Sequence, residues 1–220
     1  MTEHVVPLGT SGKQSPLRTL LWRRRSTRSF SARSLSLDAL ASILWAAQGH
    51  TADGHRVCPS AHARYPLALS IVAGDVDGLA AGVYTYDAES GHLRLTALGD
   101  HRDAVAQTAL VDHEWLKQSA ALLVLTGDID SANRHFADQP PAGRRGQRYV
   151  WLEAGHASQN IYLQATETGL GATLVAGFHD DRLQDLDPTV VPAEHEPLAI
   201  LAVGLPSEDS AWSPRKRSGQ

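Results

Sequence analysis

The stretch "SAALLVLTGDI", residues 119–129, constrains this chain more than any other. It reads as a strand that is apolar on both faces, and such a run needs cover on both sides. Other strands support a sheet around it. "YPLALSIVAG" (65–74) reads as a strand, and "GVYTYDAESGHLRLTAL" (82–98) as two β-rich runs around a turn ending at Gly91. "PLAILAVG" (197–204) is the last strand.

Helical signals interrupt these strands irregularly. "SPLRTLLWRRR" (15–25) predicts a helix capped by Ser15, with Pro16 at its first position, where a missing N–H costs nothing. "SLDALASILWAAQG" (36–49) predicts a second, capped by Ser36 and stopped at Gly49. Its apolar stripe is Leu37, Leu40, Ala41 and Leu44. A long helix is expected over "YVWLEAGHASQNIYLQATETGLG" (149–171), after a loop between Asp130 and Arg148. The mixture implies an α+β fold. Its 220 residues suit one sizeable domain, residues 15–220, behind a loose arm, residues 1–14.

Composition narrows the function. A net charge of -4 argues against a nucleic-acid-wrapping protein. One cysteine, Cys58, excludes an internal disulfide framework and fits a reducing cytoplasm. There is neither a signal-peptide pattern nor an apolar run long enough to span a membrane, so no membrane partner is expected.

Against that acidic background stands "LLWRRRSTRSF" (20–30). Arginines at a helix C-terminus can simply complement its dipole, which suffices for Arg23. Arg28 lies past the expected helix end, behind Ser26 and Thr27. A phosphate accounts for it better, accepting bidentate bonds from guanidinium groups and a single bond from Ser26. A small phosphorylated cofactor fits one compact cluster. "GLGA" (169–172) follows a helix instead of opening one, so it is no dinucleotide fingerprint. Glu153 and His156 have di-iron spacing but lack the second helical pair, and no metal site is expected. Cys58 has no activating base beside it and reads as a structural thiol.

Four segments together resemble the nitroreductase family of FMN flavoproteins, and within it the SagB-type azoline dehydrogenases. They are "RRSTRSF" (24–30), "PSAHARYPL" (59–67), "LEAGHASQNIYLQATETGLGATLVAGF" (152–178) and "AILAVGLP" (199–206) with the basic tail. The resemblance implies a mostly antiparallel sheet flanked by helices, in an intertwined homodimer. It implies that Arg24, Arg25, Ser26 and Arg28 hold the phosphate, ribityl chain and pyrimidine edge of FMN. Pro59 and Ser60 would reach the flavin of the other subunit. Backbone at Val175, Ala176 and Gly177 would approach the ring, and Arg215 and Arg217 would close on the phosphate. The substrate would be a small molecule, a peptide or a carrier-bound group. Azoline dehydrogenases usually carry a Lys-Tyr pair tied to proton abstraction; here Pro141 and Ala142 stand in its place. His135, Asp138, Arg145 and Tyr149 are nearby ionisable residues. An NAD(P)H-dependent nitro or quinone reductase and a catalytically silent scaffold subunit remain alternatives.

Overall fold

The computed structural model describes residues 5–7, 12, 14–111 and 113–208. Most of the N-terminal arm and the end of the basic tail, with Arg215 and Arg217, lie outside the described residues. In chain order the elements are helices α1 (Pro16–Arg23) and α2 (Leu37–Gln48), then strands β1 (Leu67–Ala73), β2 (Gly82–Asp87) and β3 (His92–Leu98). Short helices α3 (Arg102–Ala106) and α4 (His113–Lys117) lead into β4 (Ala121–Gly127). After it come α5 (Ile129–His135), α6 (Arg145–Glu167), β5 (Gly171–Val175), α7 (Asp180–Leu186) and β6 (Glu196–Gly204).

The strands form one antiparallel sheet in the order β3-β2-β1-β4-β6-β5. All seven residues of β4 are buried. Their side chains alternate between two apolar layers, as strand geometry dictates. Ala121, Leu123 and Leu125 meet Leu40, Ile43 and Leu44 of α2 and Val150, Ala157 and Ile161 of α6. Leu122 and Val124 meet Val105, Leu116 and Leu183 of α3, α4 and α7. The double apolar face of 119–129 is therefore a central strand between two helical layers. Each large side chain fully buried there contributes about 1.5–3 kcal/mol.

The caps at Ser15 and Ser36 form as the sequence implies. Ser15 accepts from the Arg18 N–H and Ser36 from the Ala39 N–H, both at 3.2 Å. The face of α2 is rotated from the expected stripe. Leu40, Ile43, Leu44 and Ala47 are inside, while Leu37 and Ala41 are exposed. Gly49 does end α2, but not by a left-handed turn: its φ is -66°, and an added Cβ would lie 2.3 Å from the Trp45 ring. Close approach, not backbone freedom, requires glycine there.

The expected loop from Asp130 to Arg148 is helical at both ends. The Asp128 carboxylate caps α5 by accepting from the Ser131 N–H at 2.8 Å, and Arg134 and His135 end it at the favourable pole. The long helix begins at Arg145, four residues before the expected start, which leaves 136–144 as loop. Gly146 lets the two helices touch, since its Cβ would lie 2.1 Å from Ala132 backbone.

Candidate functional site

Segment 24–30 leaves α1 and runs beside the edge strand β5. The Thr27 N–H donates to Ala172 O at 3.1 Å, and the Thr173 hydroxyl donates to Thr27 O. Gly171 permits this approach, because a Cβ there would lie 2.6 Å from the Thr27 methyl. Tyr162 of α6 locks the junction. Its hydroxyl accepts from the Leu174 N–H at 2.8 Å and meets the Ser26 hydroxyl at 3.3 Å. Its ring lies under the Arg24 guanidinium, 5.2 Å from the centroid. Sequence reasoning did not single out Tyr162; an aromatic residue mid-helix carries no signal of its contacts with segments far away in the chain. Tyr162→Phe should destabilise the fold by about 1–2 kcal/mol, since it strands the Leu174 N–H. Thermal melting should show a loss of a few degrees, about 2–4 °C per kcal/mol.

The four implied phosphate and flavin residues divide in behaviour. Arg28 is exposed and stands over the Trp115 ring at 5.9 Å. Arg24 is half-buried on Tyr162. Among the described residues, no carboxylate forms an ion pair with either. Arg25 instead turns back, donating to the Trp22 and Arg24 carbonyls at 2.8 and 2.7 Å, where it serves the end of α1. Beside them opens a cavity of about 440 Å³ lined by Trp22, Arg23, Arg25, Thr27, Ser207 and Glu208 among others. Among the described residues, Arg25 alone of the implied set reaches its wall. Arg24 stacks on a ring of the α2/α6 layer and Arg28 on a ring of the α3/α4/α7 layer, so the two do not share one contact; a guanidinium without a carboxylate partner suits a phosphate.

Val175 ends β5, and Ala176 and Gly177 are exposed directly after it. Within the chain the nearest atom to a Cβ on Gly177 would be in Leu110, at 3.8 Å, so no neighbour in this chain demands glycine there.

Pro59 and Ser60 are not brought to this place. Ser60 sits by Glu153, whereas Ser26 sits by Tyr162. Nine residues of α6 separate the two contacts, about 13 Å along the helix. The ground beneath 59–65 is polar. Glu153 is 2% exposed, and its Oε1, like Gln48 Nε2 and Arg56 Nε, has no hydrogen-bond partner among the described residues. Burial pushes the Glu153 carboxyl up to about 7, with Ser60 and Arg56 pulling it part of the way back. Burial, with the nearby Glu153 charge, pushes the Cys58 thiol up to about 12, so this thiol stays protonated and unreactive.

Of the implied base candidates, Asp138 is exposed in the 136–144 loop beside Pro141 and Ala142. Tyr149 lies on α6 and donates to Gln139 Oε1 at 2.8 Å. His135 ends α5 and meets His62 of the 59–67 segment, Nε2 to Nδ1, at 3.2 Å. This pair joins residues 73 apart, beyond the reach of local sequence patterns.

A sheet with these neighbours, and a cationic segment along its edge, is the nitroreductase-like α+β fold. A nitroreductase-family structure from Anabaena variabilis superposes with a TM-score of 0.73 and 27% identity over 87% of this chain; the chain spans only 38% of that protein. A nitroreductase-family structure from Desulfovibrio desulfuricans, determined in complex with FMN, gives a TM-score of 0.62 at 19% identity, covering 93% and 94% of the two chains. A nitroreductase-family protein of Methanocaldococcus jannaschii is 32% identical over 189 residues, 86% of this chain and 90% of its own. The family profile, "Nitroreductase family", matches residues 21–205. The chain belongs to the nitroreductase family of oxidoreductases. No helix among the described residues is long and apolar enough to cross a membrane.

Proposed function

We propose that this chain is an FMN-dependent, SagB-type oxidoreductase that dehydrogenates an azoline-type or related heterocycle in the cytoplasmic biosynthesis of a modified peptide. The observation that supports the cofactor is that segment 24–30, along the edge strand β5, carries two guanidinium groups, Arg24 and Arg28, with no carboxylate partner among the described residues. FMN, when bound, supplies a two-electron acceptor that takes a hydride and passes the electrons to dioxygen. Arg24, Ser26 and Arg28, with Arg25, would hold its phosphate, ribityl chain and pyrimidine edge. Backbone at Val175, Ala176 and Gly177 would lie along the ring. Arg215 and Arg217 would close the phosphate end.

Pro59 and Ser60 would serve the flavin of a second copy. Their distance from Ser26 within one chain supports that arrangement, and so does the exposed apolar surface. Trp22 is 72% exposed, and Leu17, Leu21, Trp45, Trp151 and Leu152 are also exposed, on three helices of which α6 touches the other two. Surface of this kind marks an interface. The substrate reading rests on "PSAHARYPL" and "LEAGH". Pro141 and Ala142, exposed and without an ionisable group, favour a second reading, an NAD(P)H-dependent reductase.

Anaerobic spectroscopy tests both readings. The purified protein should be a yellow dimer that releases FMN, and a peptidyl thiazoline should bleach it. Bleaching by NADPH alone would establish the reductase. Colourless protein that takes up no added FMN would end both readings and leave a scaffold.

A further inference from the structure

The pairing of His62 with His135 has no place in the cofactor site. It joins the 59–67 segment to the end of α5, where the resemblance places substrate chemistry but supplies no base. The two rings meet nearly at right angles, centroids 5.4 Å apart. Phe136 touches both, at 4.9 Å from His62 and 4.6 Å from His135, and the Tyr149 ring backs Phe136 at 4.6 Å. His62 is held in the left-handed region, φ 52° and ψ 25°, and Ala63 and Tyr65 also have positive φ. Such conformations persist in non-glycine residues only where the surroundings impose them. Both imidazoles are nevertheless exposed, so the pair is ordered yet open to a ligand.

We propose that His62 and His135 are the proton-accepting pair of this oxidation, with His62 meeting the substrate and His135 fixing the tautomer and orientation of its ring. The proposal rests on the reading that the chain oxidises an azoline-type substrate and that segment 59–67 closes on a flavin. On the 59–67 segment, α5, the 136–144 loop and the start of α6 the carboxylates are Asp130 and Asp138 and the tyrosines are Tyr65 and Tyr149; the other charged side chains are arginines. Arginine is no base, Tyr149 is engaged with Gln139, Tyr65 lies under the Arg56 guanidinium, and among the described residues neither Asp130 nor Asp138 enters a hydrogen bond or ion pair that would orient it. Histidine is the side chain that most often serves as a general base. His135 Nε2 against His62 Nδ1 leaves Nε2 of His62 as the accepting nitrogen. That nitrogen takes the proton from the substrate C–H. The electron pair of the broken bond becomes the new double bond as a hydride leaves the neighbouring atom, for which bound FMN would supply the acceptor and dioxygen the final oxidant. The proton passes from exposed His62 to water.

The pair is tested without turnover by ¹⁵N NMR of the FMN-loaded, imidazole-labelled protein. The facing nitrogens should be oppositely protonated, one donor and one acceptor, and His135→Gln should release His62 to the tautomer mixture of a free ring. Identical His62 spectra in parent and His135→Gln would overturn the pairing. Catalysis is read in single-turnover oxidation of a peptidyl thiazoline. His62→Asn and His62→Gly, both tolerant of positive φ, should each slow it about 10²–10⁴-fold, with FMN affinity unchanged. Oxidation by both variants within about threefold of the parent rate would overturn the catalytic role. A parent that oxidises no azoline while NADPH reduces its flavin would bring down the functional reading itself, and the proposal with it.

Discussion

Replacing Arg28 by alanine will weaken FMN binding about 10- to 150-fold. A hydrogen bond to a charged group contributes roughly 1.5–3 kcal/mol, and each 1.4 kcal/mol is a factor of ten. The fold itself asks little of this side chain. Arg28 is exposed, and its contact is with the Trp115 ring. A cation–π contact made by an exposed cation contributes about 0.5–1 kcal/mol, so the melting point of the apo-protein should hardly move. Affinity and stability therefore separate at Arg28. They should not separate at Arg25, whose guanidinium bonds the Trp22 and Arg24 carbonyls at the end of α1. Arg25→Ala should lower both. Fluorescence titration of the apo-proteins with FMN checks this, beside melts of the same samples. The flavin retained by Arg28→Ala should also be a poorer oxidant, because a cation near the pyrimidine edge favours the reduced anion. If Arg28→Ala binds FMN as the parent does, the arginine is merely solvated and the phosphate belongs elsewhere.

Much of the fold is legible in residues 15–204, and the failures have physical causes. The β4 run could only be a covered strand, because a polar layer on either face would have buried no apolar surface. Capping residues announced α1 and α2 through one local hydrogen bond each. The stripe on α2 was misjudged by part of a turn. Leu37 and Ala41 carry the right period, but which edge of an apolar face goes inside is decided by its neighbours, here Val150 and Ile161. Helix α5 was hidden in turn-forming residues; Asp128 and Ser131 read equally well as loop or as cap. In the site, the arginines were visible as a cluster, but not that Arg25 serves the helix while Arg24 and Arg28 lie on aromatic rings. Tyr162, Trp115 and the His62–His135 pair act across long sequence separations, and only the assembled sheet brings their partners together.

Raising the pH from about 5 to 8 should destabilise the parent protein relative to Glu153→Gln. Glu153 is buried where Cys58 and Ser60 pass over α6, and the Cys58 thiol donates to its carbonyl at 3.5 Å. Burial raises its carboxyl from an ordinary value near 4.5 to about 7. The folded protein therefore holds this proton more tightly than the unfolded chain. Between those two values the unfolded chain binds fewer protons, so stability falls as pH rises. The contribution is complete below about 4.5, is lost as pH climbs through about 7, and stays lost above it. One pKa unit corresponds to about 1.4 kcal/mol, which makes the whole effect about 3 kcal/mol at most. In a chain of this size that is roughly 6–12 °C of melting temperature. Glutamine keeps the shape and cannot ionise, so its curve should lack this step, and the gap between the variants should widen towards pH 8. The loss should also reach the 59–65 segment. An ionised Glu153 would draw water or a counter-charge to its unpartnered Oε1 and loosen the ground under Ser60. Amide exchange at Ser60 to Tyr65 should accelerate between pH 5 and 8 in the parent, beyond the intrinsic pH effect, but not in Glu153→Gln. Melting curves that run parallel across this range would show that the carboxyl does not titrate there.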